Sequence, residues 1–88
     1  MQFSLEIVNE KGLHARASAK FVETVERFDA QALVSRDGLE VSGDSIMGLL
    51  MLGAGRGTSI DVKVDGTDAD ALADALRSLV AGRFGEAT

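Results

Sequence analysis

A chain of 88 residues is long enough for one domain and too short for two, and it buries roughly 60–65% of its unfolded surface, which leaves no room for a deep catalytic cavity. Its 14 acidic side chains against 9 basic ones give a net charge of -5, which opposes nucleic-acid binding by bulk electrostatics. The absence of cysteine excludes a disulfide, a thiolate metal site and thiol redox chemistry.

From Gln2 to Ile7 the chain alternates, with Phe3, Leu5 and Ile7 on one face and Gln2, Ser4 and Glu6 on the other, the pattern of a half-buried strand. Asn9-Glu10-Lys11-Gly12 is a loop. From Ala15 to Phe28 the period becomes helical: Ala17, Phe21, Val25 and Phe28 recur at spacings of three and four, with Lys20, Glu23, Glu26 and Arg27 on other faces. Ala32 and Val34, then Leu39 and Val41, predict two short strands joined at Asp37-Gly38, a favoured pair for a tight hairpin.

Ser45 precedes Ile46-Met47-Gly48-Leu49-Leu50-Met51-Leu52, the longest apolar run. Periodicity leaves it open as a buried strand or a short helix; its methionines and leucines and the N-capping potential of Ser45 favour the helix. Such a helix is apolar nearly all round and can bury only one side, so its other side is expected to be exposed, unless the whole segment is buried. The run is far shorter than the ~20 residues that cross a bilayer, and the first residues lack a secretory pattern, so membrane insertion is not expected and a cytoplasmic location is.

Gly53-Ala54-Gly55-Arg56-Gly57 breaks the chain. It is not a phosphate-binding loop, because no Gly-Lys-Ser/Thr follows and a strand comes next. That strand is marked by Ile60, Val62 and Val64 alternating with Ser59, Asp61 and Lys63. Thr67 and Asp70 suggest a capping box. Leu72, Ala75, Leu76, Leu79 and Val80 then form a helical stripe that Gly82 ends. Four strands and three helices in the order βαββαβα predict an α+β fold, with the helices on one face of an antiparallel sheet.

His14, the single histidine, stands between the loop and the first helix. A helix start offers free N–H groups and a partial positive charge, which attract phosphate and disfavour imidazolium. A neutral imidazole keeps a free ring nitrogen, the form that attacks phosphorus. Arg16, two residues on, has the fork geometry to pair with phosphate oxygens. Position alone is equally met by a histidine that merely caps the helix. A metal site lacks partners, with no second histidine and no cysteine.

Gly12-Leu13-His14-Ala15-Arg16-Ala17 resembles the active-site stretch of the HPr family, the histidine phosphocarriers of the bacterial phosphoenolpyruvate-dependent phosphotransferase system. Asp44-Ser45-Ile46-Met47-Gly48-Leu49-Leu50-Met51-Leu52 resembles the family's second signature, a serine opening a short apolar helix. The resemblance covers the whole chain, 1–88, as one domain, and implies an open-faced β-sandwich: a four-stranded antiparallel sheet covered on one face by three helices. It implies that His14 accepts a phosphoryl group on Nδ1 with Arg16 as phosphate partner. Phosphorylated enzyme I would be the donor and an enzyme IIA protein the acceptor, with no cofactor and no metal. It further implies that Ser45 is open to an HPr kinase/phosphorylase, and that Ala15, Met47, Leu50 and Met51 dock partners while Leu49 and Leu52 face the core.

The sequence departs from the family in places. Ala17 stands where proline is usual, which loosens the start of the helix. Glu23 and Glu26 stand where enteric sugar-branch members carry lysines, and Leu49-Leu50-Met51-Leu52 looks closer to the nitrogen-related branch. The choice between sugar transport and nitrogen regulation stays open. So does a module that only docks partners through the Ile46–Leu52 helix; an independent enzyme is the least favoured class.

Overall fold

The computed structural model describes residues 1–88. Alternation forms the strands as expected: β1 (Gln2–Glu6), β2 (Gln31–Arg36), β3 (Leu39–Ser42) and β4 (Ser59–Asp65) make one antiparallel sheet in the order β1-β4-β2-β3. Leu5, Ala32, Val34, Ile60, Val62 and Val64 are buried on one face, while Ser4, Asp61, Lys63 and Leu33 are exposed on the other. The β2–β3 hairpin pairs Arg36 with Leu39, leaving Asp37 and Gly38 as a two-residue turn with φ of 52° and 84°. Both values lie in the left-handed region that such a turn requires.

Helices α1 (Ala15–Glu26), α2 (Ile46–Met51) and α3 (Ala69–Ala81) complete the βαββαβα order. The sheet and three helices form the open-faced sandwich. The core joins Phe21 and Val25 of α1, Leu49 of α2 and Leu72, Leu76 and Val80 of α3 to the covered face of the sheet.

Helix boundaries differ from the periodicity in instructive ways. α1 ends at Glu26, two residues before Phe28, which is half-buried beyond the helix. The Thr67/Asp70 capping box does not form. Asp68 is the N-cap of α3, and its carboxylate accepts the backbone N–H of Asp29 at 2.8 Å rather than capping its own helix. Asp68 N–H in turn donates to Asp29 O at 2.9 Å. This exchange ties the end of α1 to the start of α3 and sets the cap one residue after Thr67, so that the third helical residue is Ala71, which has no acceptor to complete a capping box. In α3, Ala73 is buried and Ala75 only half-buried.

Gly82 ends α3 as expected, with an ordinary φ of -84°. A short 3-10 turn, Arg83–Gly85, follows, in which Arg83 and Phe84 hold φ of 58° and 55°. This turn buries Phe84 completely and sends the last residues back across the start of α1.

Candidate functional site

The loop before α1 is shaped by Gly12, at φ +66°. A Cβ at this position would lie 2.6 Å from the Ala54 carbonyl oxygen and 2.9 Å from Gly55 Cα. Leu13 N–H donates to the same Ala54 oxygen at 2.9 Å, so the segment before α1 rests on the chain that follows α2. Buried Ser18 then fixes the helix start: its hydroxyl donates to Leu13 O at 3.1 Å and its N–H to His14 O at 2.8 Å.

His14 is thereby the N-cap of α1, with extended backbone and no side-chain capping bond. The capping alternative describes its backbone and not its ring. The ring is 25% exposed, and its Nε2 is bonded to Oε2 of Glu86 in the carboxyl-terminal segment. Nδ1 has no partner within the protein. Oε1 of Glu86 accepts from Nδ2 of fully buried Asn9 at 3.0 Å, and the same Asn9 nitrogen donates to Gly12 O at 2.8 Å. Asn9 Oδ1 is buried without a partner. The hydrogen bonds from His14 and then Asn9 hold the Glu86 carboxyl below its ordinary 4.5, against a smaller opposing effect of burial.

Arg16 and Ala15 are exposed in the first turn, and the guanidinium of Arg16 makes no ion pair or hydrogen bond. No acidic residue lies in that turn. An anion approaching the ring from the open side thus meets free helix N–H groups and an uncommitted Arg16.

Beside His14 lies a shallow depression of about 260 Å³, lined by Lys11, Leu13, His14, Leu50, Gly53, Ala54 and Gly55. Leu50 joins this depression to α2. Ser45 caps α2, its hydroxyl accepting Gly48 N–H at 3.0 Å, and at the other end Arg36 Nη1 donates to Leu52 O at 3.0 Å. Leu49 and Leu52 are buried, whereas Met47 and Met51 are 70% and 66% exposed and Leu50 is partly so. Ile46 is exposed as well, which the outward set of the sequence reading omits.

The structure therefore brings His14 and Leu50 to one depression, with Ala15 and Arg16 following His14 in the first turn of α1 and Met47 and Met51 on the same short helix as Leu50. The sequence reading misses Asn9, Lys20, Phe84 and Glu86. Lys20 Nζ donates to Phe84 O at 2.6 Å and anchors the returning segment. The one hint in the sequence is Phe84, a large apolar residue beyond a helix stop, where nothing in the periodicity asks for one.

Comparison with known proteins bears on the family and the fold. A family model described as "PTS HPr component phosphorylation site" matches residues 1–82. Phosphocarrier protein HPr of Neisseria meningitidis serogroup A is 47% identical over 83 residues, covering 94% of this chain and 93% of that one. Phosphocarrier protein HPr of Cupriavidus necator is 45% identical over 86 residues, covering 98% and 97%. The crystal structure of HPr-C-His from Thermoanaerobacter tengcongensis superposes with a TM-score of 0.94 at 36% identity, covering 100% of this chain and 99% of that one. The chain belongs to the HPr family of phosphocarrier proteins of the phosphotransferase system.

Proposed function

We propose that this protein accepts a phosphoryl group from phosphorylated enzyme I on Nδ1 of His14 and passes it to an enzyme IIA-type protein. The observation that carries the reading is the state of the ring: a partly exposed imidazole at a helix N-terminus, engaged through Nε2 and free at Nδ1. Arg16 closes on the phosphate oxygens from the first turn. Helix terminus and guanidinium give modest stabilisation, about 0.3–1 kcal/mol for a charge at an exposed terminus. Modest is what a relay needs, since a tightly held group would not move on. The protein is a substrate of its partners, which bring the remaining catalytic groups, and works as one domain in the cytoplasm.

In this reading α2 docks the partners, through Met47, Leu50 and Met51 with Ala15 beside His14. Methionine and leucine side chains adapt to several different surfaces. Ser45 lies at the edge of that surface, so a kinase acting there would place negative charge within it. With phosphoenolpyruvate and enzyme I, the parent takes up acid-labile, base-stable label and His14→Ala takes up none. Equal labelling of His14→Ala would sink the proposal. Running the assay with each of the host's enzyme I proteins separates the sugar branch from the nitrogen branch by relative rate.

A further inference from the structure

We infer that Glu86, held in place by Asn9, is a positioning residue for phosphoryl transfer: its carboxylate fixes the His14 ring with the proton on Nε2 and the lone pair on Nδ1. The inference rests on the phosphocarrier reading and adds to it a group from the far end of the chain.

Three observations converge. Nε2 of His14 is bonded to Glu86 Oε2, and no other protein group contacts the ring's nitrogens. An ionised carboxylate has no proton to give, so the proton in this bond belongs to Nε2, and the neutral ring must carry its lone pair on Nδ1. The second oxygen, Oε1, is held at 3.0 Å by Asn9, whose Nδ2 is itself fixed by Gly12 O at 2.8 Å within the loop that delivers His14. Asn9 is fully buried, so this support is rigid. The tail is pinned on both sides of Glu86: Lys20 holds Phe84 O at 2.6 Å, and Glu10 N–H donates to Thr88 O. The carboxylate is thus part of the packed structure rather than a stray terminal group.

The chemistry follows from this placement. Nδ1 forms the new P–N bond with its lone pair. The bond between phosphorus and the donor's leaving atom breaks, and its electron pair stays on the donor. The ring becomes a cation that still carries the Nε2 proton, and the ionised Glu86 carboxylate faces that developing charge. Onward transfer reverses the electron flow and returns the lone pair to Nδ1, with no proton lost at either step. A carboxylate behind an imidazole plays this part in acyl-transfer triads, where it holds the tautomer and stabilises the imidazolium without taking its proton.

Glu86→Gln and Glu86→Ala test this. A carboxylate accepts from His14 and Asn9 together, whereas an amide has one oxygen. If the Gln oxygen faces Asn9, its NH2 faces Nε2 and favours the opposite tautomer. Nitrogen-15 NMR of the neutral ring should show a protonated Nε2 and an unprotonated Nδ1 in the parent. In both variants the two signals should move toward each other. The rate of His14 phosphorylation by enzyme I should fall about tenfold or more, the lower end of what a charge-assisted hydrogen bond is worth, with circular dichroism unchanged. Parent-like rates in both variants, or ring signals that do not move, would overturn the inference. If the parent itself takes no label, the phosphocarrier reading fails, and the NMR result still decides whether Glu86 sets the tautomer.

Discussion

Gly12 shows how much of the site depends on one backbone position. Its φ of +66° is one that side-chain-bearing residues seldom adopt, and the atoms facing it, Ala54 O and Gly55 Cα, are backbone and cannot swing aside. Gly12→Ala should therefore cost about 2 kcal/mol or more, from the left-handed conformation plus the displaced loop. Nearby Gly55 is the control, because its φ is not positive and nothing lies within 4 Å of a Cβ there. Gly55→Ala should stay within about 0.5 kcal/mol of the parent. Urea midpoints of the two variants decide the matter. Equal midpoints would mean that the approach of the two loops is not what holds the segment before His14. A sequence shows only that both residues are glycine; which one is obligatory depends on a contact across some forty positions.

At the scale of elements, legibility followed how far each segment is governed by its own residues. The strands read well because one face of the sheet is covered and the other is not, so burial alternates as side-chain polarity does. The capping box read badly because the cap falls on Asp68, one residue after Thr67, and its carboxylate answers to Asp29, a partner 39 residues away. α2 lies between these cases. Six residues cannot hold a helix alone; Ser45, Arg36 and the burial of Leu49 and Leu52 hold it, while Gly48 lets it sit close to Val41. Its outward residues are free to serve partners because its support comes from elsewhere. Ser45 can therefore be separated into cap and charge. Ser45→Asp keeps an N-capping oxygen and should leave thermal stability near the parent while slowing His14 phosphorylation. Ser45→Ala should lose about 1 kcal/mol of stability and keep the parent rate. If Ser45→Asp were phosphorylated as fast as the parent, the regulatory part of the proposal would fall.

At the scale of the whole molecule, the carboxyl-terminal segment is the part that sequence reading does not reach. Residues 83–88 have no period, and their contacts span 64 residues to Lys20, 72 to His14 and 77 to Asn9. Their path also runs against local preference, since Arg83 and Phe84 both hold positive φ at roughly 1–3 kcal/mol each. Burial of the whole Phe84 ring offsets that cost, so Phe84→Ala should destabilise by about 3–5 kcal/mol, a large share of the ~5–15 kcal/mol that a domain has. Glu86 adds a pH-dependent part to the same closure. Its carboxyl is held below 4.5 in the folded protein by His14 and Asn9, so the folded state favours the ionised form. This contribution is complete above about pH 4.5 and is lost as the pH falls through the lowered folded value. The stability difference between the parent and Glu86→Gln should accordingly be greatest above that pH and shrink toward zero in more acid solution. Denaturant titrations from pH 3 to pH 7 measure it directly. A difference that stays constant across the range would mean that the carboxylate is not ionised against the ring, and that the tail is held by its other contacts, Phe84, Lys20 and the Glu10–Thr88 bond.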